Sequence, residues 1–361
     1  MSGLATSDTT RQKAIFFVNC YAGGAEKMTL FIASCLDSSR YDVIFYIVGK
    51  EIGLIRNFIP EERTCHYIHV KNYKDGLMGK LARVMREEKP DYVFSSLMPI
   101  NIRLAFASIM FPKVKVILRS NNYLYTQSII QKARLFVAYR FMDHLIAQTD
   151  EMRDEAVKVL RLPRNKVTTL ANPINVEQIN KKLEGAPSPF EGTSTNYVYV
   201  GRIDRIKGLD VLIRSFGKLL ADEPDSKLYI VGKVEGGFAP YYEELRAIQA
   251  DLNIGDQIIF TGFKENPYQY MKFADCLVLP SRNEGLPNVV IESLYLNTPV
   301  AVTASIPVIR RIVREGVDGF VVEVDDVEGL AQAMKSASRL GRVQSAYKSA
   351  TKEDFQKLFT K

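Results

Sequence analysis

Short apolar runs rich in β-branched and aromatic residues recur along this chain, and between most of them the apolar residues fall into helical spacing. In the first half the runs cover residues 14–18, 43–48, 92–95, 114–118 and 145–147, with segments between them that have room for crossover helices. Strands joined through helices run parallel, so the pattern predicts a parallel sheet. After the first run comes Tyr21-Ala22-Gly23-Gly24-Ala25-Glu26, and then Met28, Phe31, Ile32, Cys35 and Leu36 on one helical face. This is strand, glycine turn, helix. The same grammar restarts with runs at 197–200, 228–231, 258–260, 276–279, 300–302 and 320–322. The chain reads as two doubly wound α/β units.

Between the two sets of runs, residues 181–195 are rich in Pro, Gly, Ser and Thr and read as an interdomain linker. The predicted organisation is therefore a first domain over 1–180, the linker, a second domain over 196–345, and a tail over 346–361. The tail carries Tyr347, Phe355, Leu358 and Phe359 and reads as a final helix docking back on the first domain. A length of 361 residues suits two domains of ordinary size. Ligands of open α/β sheets bind beyond the carboxyl ends of the strands. If the halves face each other, the glycine turn of the first and two special loops of the second line one cleft.

Those two loops hold the candidate chemistry. The run at 197–200 leads into Gly201-Arg202-Ile203-Asp204-Arg205-Ile206-Lys207-Gly208, and then Leu209, Leu212, Ile213, Phe216, Leu219 and Leu220 take up helical spacing. Cations thus sit on a strand-to-helix loop. Further on, Glu284-Gly285-Leu286-Pro287-Asn288-Val289-Val290-Ile291-Glu292 sets two carboxylates eight positions apart across a loop that becomes a helix at Pro287 and Asn288. Unpaired backbone N–H groups at such a start bind anions. A diphosphate flanked by two hydroxyl-rich rings fits that combination, whereas a plain surface helix uses the same glutamates only to complement its dipole.

The net charge of +7 is unevenly spread: residues 1–180 carry 25 Lys and Arg against 17 Asp and Glu, and residues 181–361 carry 23 against 24. A basic first half suits nucleic acid, an anionic membrane face or a phosphorylated substrate, although a solvated basic face needs no partner at all. Aromatic residues among the basic ones are too sparse for a strand-binding groove, which argues against nucleic acid. The segment 129–141, with Lys132, Arg134 and Arg140 among apolar residues, is a candidate for membrane-surface contact, and the same apolar residues suit packing on the sheet. The longest apolar window, 92–111, is broken by Pro99, Asn101 and Arg103, and no secretory signal is evident, so a cytoplasmic protein is expected, either free or peripheral on the inner face of the membrane. Four scattered cysteines contain no Cys-x-x-Cys pair. Cys65, His66 and His69 on a strand-like run point to alternating faces, and Asp325-Asp326 reads as turn chemistry, so no metal site is expected.

Gly23-Gly24-Ala25-Glu26, Asn172-Pro173-Ile174-Asn175, Gly201-Arg202 with Lys207-Gly208, and Glu284 to Glu292 occur in the order found in the retaining family 4 glycosyltransferases of the GT-B fold, which the chain resembles over residues 14–340. The resemblance implies two Rossmann-like domains about a central cleft, with the first binding acceptor and the second the nucleotide sugar. It implies that Arg202 and Lys207 grip the donor diphosphate beside Gly201, that Glu292 holds the ribose hydroxyls, and that Glu284 holds the transferred sugar. Backbone around Leu286, Pro287, Asn288 and Val289 completes the phosphate site. Gly23 and Gly24 let first-domain backbone approach the donor.

Two departures stand out. Where many relatives place a histidine near the sugar, this chain has Arg119-Ser120-Asn121-Asn122, so Asn122 is expected at the donor and Arg119 and Asn121 at the acceptor. The Gly-Asp-Gly often found after the second-domain strand is replaced by Gly232-Lys233-Val234-Glu235-Gly236-Gly237. The resemblance further implies retention of configuration, no bound metal, and no cofactor beyond a nucleotide-sugar co-substrate, UDP-linked, with a glycan or lipid-linked acceptor. Two other readings stay open: a sugar-nucleotide epimerase of the same fold, and a non-catalytic basic module that binds nucleic acid or a membrane surface.

Overall fold

The structure, a computed structural model, describes residues 11–21, 23–234 and 239–360. Two compact units divide the chain. Residues up to Pro173 join with those from Ser349 onward to make the first, and Ile174–Lys348 make the second.

The first unit is built on β1 (Gln12–Asn19), β2 (Tyr41–Gly49), β3 (Cys65–His69), β4 (Tyr92–Ser95), β5 (Lys115–Arg119), β6 (His144–Ala147) and β7 (Val167–Thr169), in the order β3-β2-β1-β4-β5-β6-β7. Every neighbouring pair is parallel. The central strands are buried on both faces, which is why β1 and β2 read as nearly unbroken apolar runs. The second unit is built on β8 (Asn196–Val200), β9 (Lys227–Val231), β10 (Ile258–Gly262), β11 (Cys276–Leu279), β12 (Val300–Thr303) and β13 (Gly319–Val322), in the order β10-β9-β8-β11-β12-β13. It too is parallel throughout.

Both sheets therefore have the doubly wound order, with a reversal of winding between β1 and β4 in one and between β8 and β11 in the other. These reversals open a crevice at the carboxyl ends of the two central strands, and the special loops leave the sheet there. The helix Leu209–Leu219 buries Leu209, Leu212, Ile213 and Phe216, the positions that its spacing selects. One strand carried a weak signal. The edge strand β7 is three residues long and two of them are threonine, so no apolar run marks it.

The domain boundaries differ from those expected. The division falls between Pro173 and Ile174 in place of residue 180, and 181–195 is not a link between units. The helix Val176–Leu183 belongs wholly to the second unit, where the Asn266 side chain donates to the Lys182 carbonyl (2.6 Å) and Tyr295 donates to Asn180 (3.3 Å). Phe190 then packs its ring on Tyr229, 4.7 Å between centroids. The Pro, Gly and Ser content of 181–195 marks a segment that wraps the surface of one unit, a composition indistinguishable from that of a linker.

The last residues return to the first unit. The helix Lys352–Gln356 begins with a capping box between Thr351 and Asp354 and delivers Phe355 and, just beyond it, Phe359 into the core, both fully buried. The Phe359 ring lies 5.5 Å from Tyr92 and 5.9 Å from Phe16, and the Tyr41 hydroxyl donates to its carbonyl at 2.8 Å.

Candidate active site

The loop after β8 is held in shape before any ligand arrives. Asp204, buried, accepts from the backbone N–H of Lys207 at 3.1 Å and so caps the single turn Arg205–Lys207, while its other oxygen lies 3.2 Å from the Arg202 guanidinium. The buried Tyr199 hydroxyl donates to the Arg202 carbonyl at 2.6 Å. Burial, followed by the charge of Glu284, drives its pKa well above the ordinary value, so the phenol stays a donor at any physiological pH. Arg202 itself is mostly exposed, its charge open to an incoming anion.

Gly208 ends this turn with φ +65°, and a Cβ placed there would meet the Pro280 carbonyl oxygen at 2.2 Å. The neighbour is backbone of the β11 loop, so it cannot swing aside. Gly208→Ala is expected to cost more than about 1 kcal/mol, from the left-handed conformation and the clash together, and to displace the Lys207 turn. A thermal melt and UDP titration of this variant check the expectation, and unchanged values in both would refute it.

The second loop leaves β11 beside the first. Glu284 reaches Lys207 with Nζ to Oε1 at 2.6 Å, and the Ser281 hydroxyl donates to the same oxygen at 2.7 Å. Lys207 and Glu284 retain only 17% and 11% of their side-chain exposure. A cation and a carboxylate 77 residues apart in sequence therefore form one preorganised pair at the reversal between β8 and β11. The helix Asn288–Tyr295 follows, with Pro287 at its cap position and no side chain capping it. Leu286 and Pro287 are buried, Asn288 and Val289 half-buried, and Glu292 sits one turn into the helix, half-buried and close enough to raise the pKa of Tyr268 after burial has done most of that work.

A residue that the motifs did not single out ties the two loops together. The guanidinium of Arg282 grips both oxygens of Asp210 (3.0 and 2.7 Å), the carboxylate of Asp325 (2.7 Å) and the carbonyl of Arg205 (2.7 Å), and its backbone N–H donates to the Ile206 carbonyl at 2.7 Å. Asp210 also accepts from the Tyr241 hydroxyl at 2.7 Å. Asp325 holds the arginine from a left-handed turn, and Asp326 caps the helix Val327–Ser338, so the acidic pair serves turn and staple.

Burial opposes ionisation of Asp210, yet the hydrogen bonds and charge of Arg282 and the Tyr241 hydroxyl outweigh it and hold the pKa below the ordinary 3.8. A carboxylate with a lowered folded pKa contributes stability that is complete above its unfolded pKa and is lost as pH falls through the folded one. The staple is thus intact at neutral pH and fails only in acid. Asp210→Asn is expected to destabilise the second unit by about 2 kcal/mol, the scale of a charge-assisted hydrogen bond, with the deficit shrinking as the pH is taken below 4. Denaturation of wild type and variant across that pH range measures it; a deficit independent of pH would rule out the ionic origin.

In the first unit both residues expected at the acceptor are tied into a polar network. Arg119 is 1% exposed, donates to Asn121 Oδ1 at 2.7 Å and bonds to Asn172 Oδ1. Asn121 is equally engaged, accepting from Gln148 at 2.9 Å and donating to the Ser96 carbonyl. The two residues are struts of a buried polar network that fixes the loops after β4, β5 and β6, because a buried cation must be surrounded by acceptors. Asn122, next along, is exposed at the end of β5. Gly23 occupies the cap position of the helix Gly24–Ser34, and Gly24 opens that helix at the end of β1. Of the replacement Gly232-Lys233-Val234-Glu235-Gly236-Gly237, the last three residues lie outside the described residues.

Comparison with known families agrees with the two-unit geometry. A model described as Glycosyltransferase Family 4 matches residues 22–178, and one described as Glycosyl transferases group 1 matches residues 180–354. The chain is a family 4 glycosyltransferase. Among its relatives, this glycosyltransferase is 27% identical over 358 residues to the N-acetylgalactosamine-N,N'-diacetylbacillosaminyl-diphospho-undecaprenol 4-alpha-N-acetylgalactosaminyltransferase of Campylobacter jejuni subsp. jejuni serotype O:2, covering 94% of this chain and 93% of that protein. It is 28% identical over 243 residues to an uncharacterized glycosyltransferase of Methanocaldococcus jannaschii, covering 62% of this chain and only 58% of that relative's length. Of solved structures, Anabaena Alr3699/HepE in complex with UDP and glucose superposes with a TM-score of 0.79 at 16% identity, over 97% of this chain and 98% of that one. That likeness shows the GT-B fold.

No motif of this glycosyltransferase marks the struts Ser96, Asn101 and Gln148 or the staple Arg282. Asn101 donates to the Arg119 carbonyl at 3.0 Å and was visible in sequence only as an interruption of an apolar window. A polar residue that breaks an apolar run beside a predicted strand end was the available signal.

Proposed function

We propose that this glycosyltransferase moves a hexose or N-acetylhexosamine from a UDP-sugar to a lipid-linked glycan, with retention of configuration and without a bound metal, working at the inner face of the cytoplasmic membrane. The preformed Lys207–Glu284 pair at the winding reversal is the observation that carries the reading. The Campylobacter relative, which acts on a diphospho-undecaprenol-linked acceptor by its name and aligns nearly end to end, supports the acceptor class. The Anabaena neighbour, solved with UDP and glucose, supports the donor class.

In the proposed reaction Arg202 and Lys207 hold the diphosphate, joined by backbone N–H groups at the start of the helix Asn288–Tyr295. Glu292 takes the ribose hydroxyls and Glu284 the hydroxyls of the sugar. The acceptor hydroxyl attacks C1 from the face that the diphosphate is leaving: the acceptor O–C1 bond forms, the C1–O(phosphate) bond breaks, and a leaving-phosphate oxygen takes the acceptor's proton. Negative charge grows on the diphosphate during this step, and fixed cations with amide donors stabilise it where it appears. In this assignment the two cations supply the positive charge that a metal ion supplies elsewhere.

The test is incubation of the protein with a panel of sugar nucleotides and lipid-linked acceptors, with products identified by mass. Transfer that needs both a UDP-sugar and a lipid-linked acceptor supports the reading. Sugar-nucleotide conversion without any acceptor would point to an epimerase, and no turnover with any pair would overturn the proposal.

A further inference from the structure

In the first unit, the helix Ile129–Ala138 presents an apolar face to solvent. Leu135 and Ala138 point inward, while Ile129 and Ile130 are 85% and 65% exposed and Val137 is also exposed. With 3.6 residues per turn, Ile129, Ala133, Val137 and Ile130 fall within an arc of roughly 100° on the outer side, with Arg134 at one margin and Lys132 at the other. An ordinary surface helix has the opposite arrangement, apolar toward the core and polar toward water.

The apolar face extends beyond the helix. The chain continues into the turn Tyr139–Phe141, where exposed Phe141 packs its ring 5.9 Å from Phe106 and its carbonyl accepts from the Ser108 hydroxyl at 3.2 Å. That contact brings the turn Ser108–Met110 alongside, and both Ile109 and Met110 are exposed. The Arg140 guanidinium lies over the Phe136 ring, 4.3 Å from its centroid. Residues 129–141 contain no Asp or Glu. A capping box between Ser128 and Gln131 fixes the start of the helix, so the surface is preformed.

An apolar helix face flanked by cations, with exposed apolar residues on the two neighbouring turns and no acidic residue in any of the three segments, matches one surface chemistry: acyl chains below a negatively charged headgroup layer. We propose that the helix Ile129–Ala138, with the turns Ser108–Met110 and Tyr139–Phe141 beside it, docks the first unit on an anionic lipid bilayer. The proposal deepens the reading of a lipid-linked acceptor, on which it rests, by naming the face that meets the membrane. The apolar residues insert at the level of the acyl boundary, and Lys132, Arg134 and Arg140 stay among the headgroups, their long stems letting the charges remain in water.

The test is flotation of the full chain with vesicles of phosphatidylcholine alone and of phosphatidylcholine mixed with phosphatidylglycerol. Wild type is expected to float with the mixed vesicles and to be released as salt rises. The double variant Ile130→Asp, Val137→Asp is expected to lose roughly tenfold or more in partition, and Arg134→Ser about fivefold, the share of one basic residue near such a surface. Melting temperature and UDP binding of these variants stay at wild-type values, since exposed positions of the first unit are changed and the Lys207–Glu284 pair belongs to the second. Equal flotation of wild type and double variant would overturn the proposal, as would a solution dimer that the double variant dissociates while neither protein floats. UDP binding without flotation removes the surface and keeps the donor reading; flotation without UDP binding does the reverse.

Discussion

Replacing Lys207 by alanine is expected to lower kcat by roughly a hundred- to a thousandfold, the usual cost of removing one preorganised charge-stabilising donor. Two effects add. The ammonium is lost from the place where diphosphate charge would grow, and Glu284, with little exposure, keeps the Ser281 hydroxyl at 2.7 Å but loses its cation. Arg202→Ala is expected to act on the same scale through the first effect alone, because Arg202 is exposed and its own partner, Asp204, keeps the backbone bond to Lys207. The measurement is kcat and KM determined separately. A matched fall in kcat and kcat/KM places the lysine in transition-state stabilisation, and a rise in KM alone would reduce it to a ground-state contact. Near-native turnover of Lys207→Ala would remove the pair from the active site.

Lys207 and Glu284 could each be placed at a strand end from the sequence, though not their pairing, because each sits in a loop whose ends are marked. Gly201 and Gly208 bracket one, and Pro287 with Asn288 closes the other, while the apolar runs on either side place both at strand ends. The doubly wound order then brings β8 and β11 together, and the contact follows from topology. Arg282 carried no such mark. Its partners Asp210 and Asp325 lie 72 and 43 residues away, and only folding brings them together. The bonds of Arg119 were hidden for a related reason: an arginine at the end of a strand looks like a ligand cation, and its acceptors come from Asn121 and Asn172, distant in sequence from one another. Local patterns report strands, helices and caps, whereas networks of polar side chains depend on contacts that local patterns do not encode.

The same distinction governs the tail, where four apolar residues predicted docking on the first unit and three of them, Phe355, Leu358 and Phe359, enter it, whereas Tyr347 stays with the second. Truncation of Phe359 to alanine is expected to destabilise the first unit by about 3 to 5 kcal/mol, the range for a large aromatic removed from a packed core. The cavity would open among the rings of Phe16, Tyr92 and Phe94, which lie 5.9, 5.5 and 6.4 Å from Phe359 between centroids. For a unit of this size that corresponds to a fall of roughly ten degrees in its melting temperature. Phe359→Leu fills most of the space and is expected to lose less than half as much. Because the division into units places residues from Ser349 onward with the first, calorimetry is expected to show the first unit's transition moving and the second's staying in place. A chain ending at Lys348 loses Phe355, Leu358 and Phe359 together and is expected to lose the first unit's cooperative transition altogether, while the Lys207–Glu284 pair in the second unit survives to bind UDP. A truncated chain in which both transitions persist would show that the tail adds nothing to the core it enters.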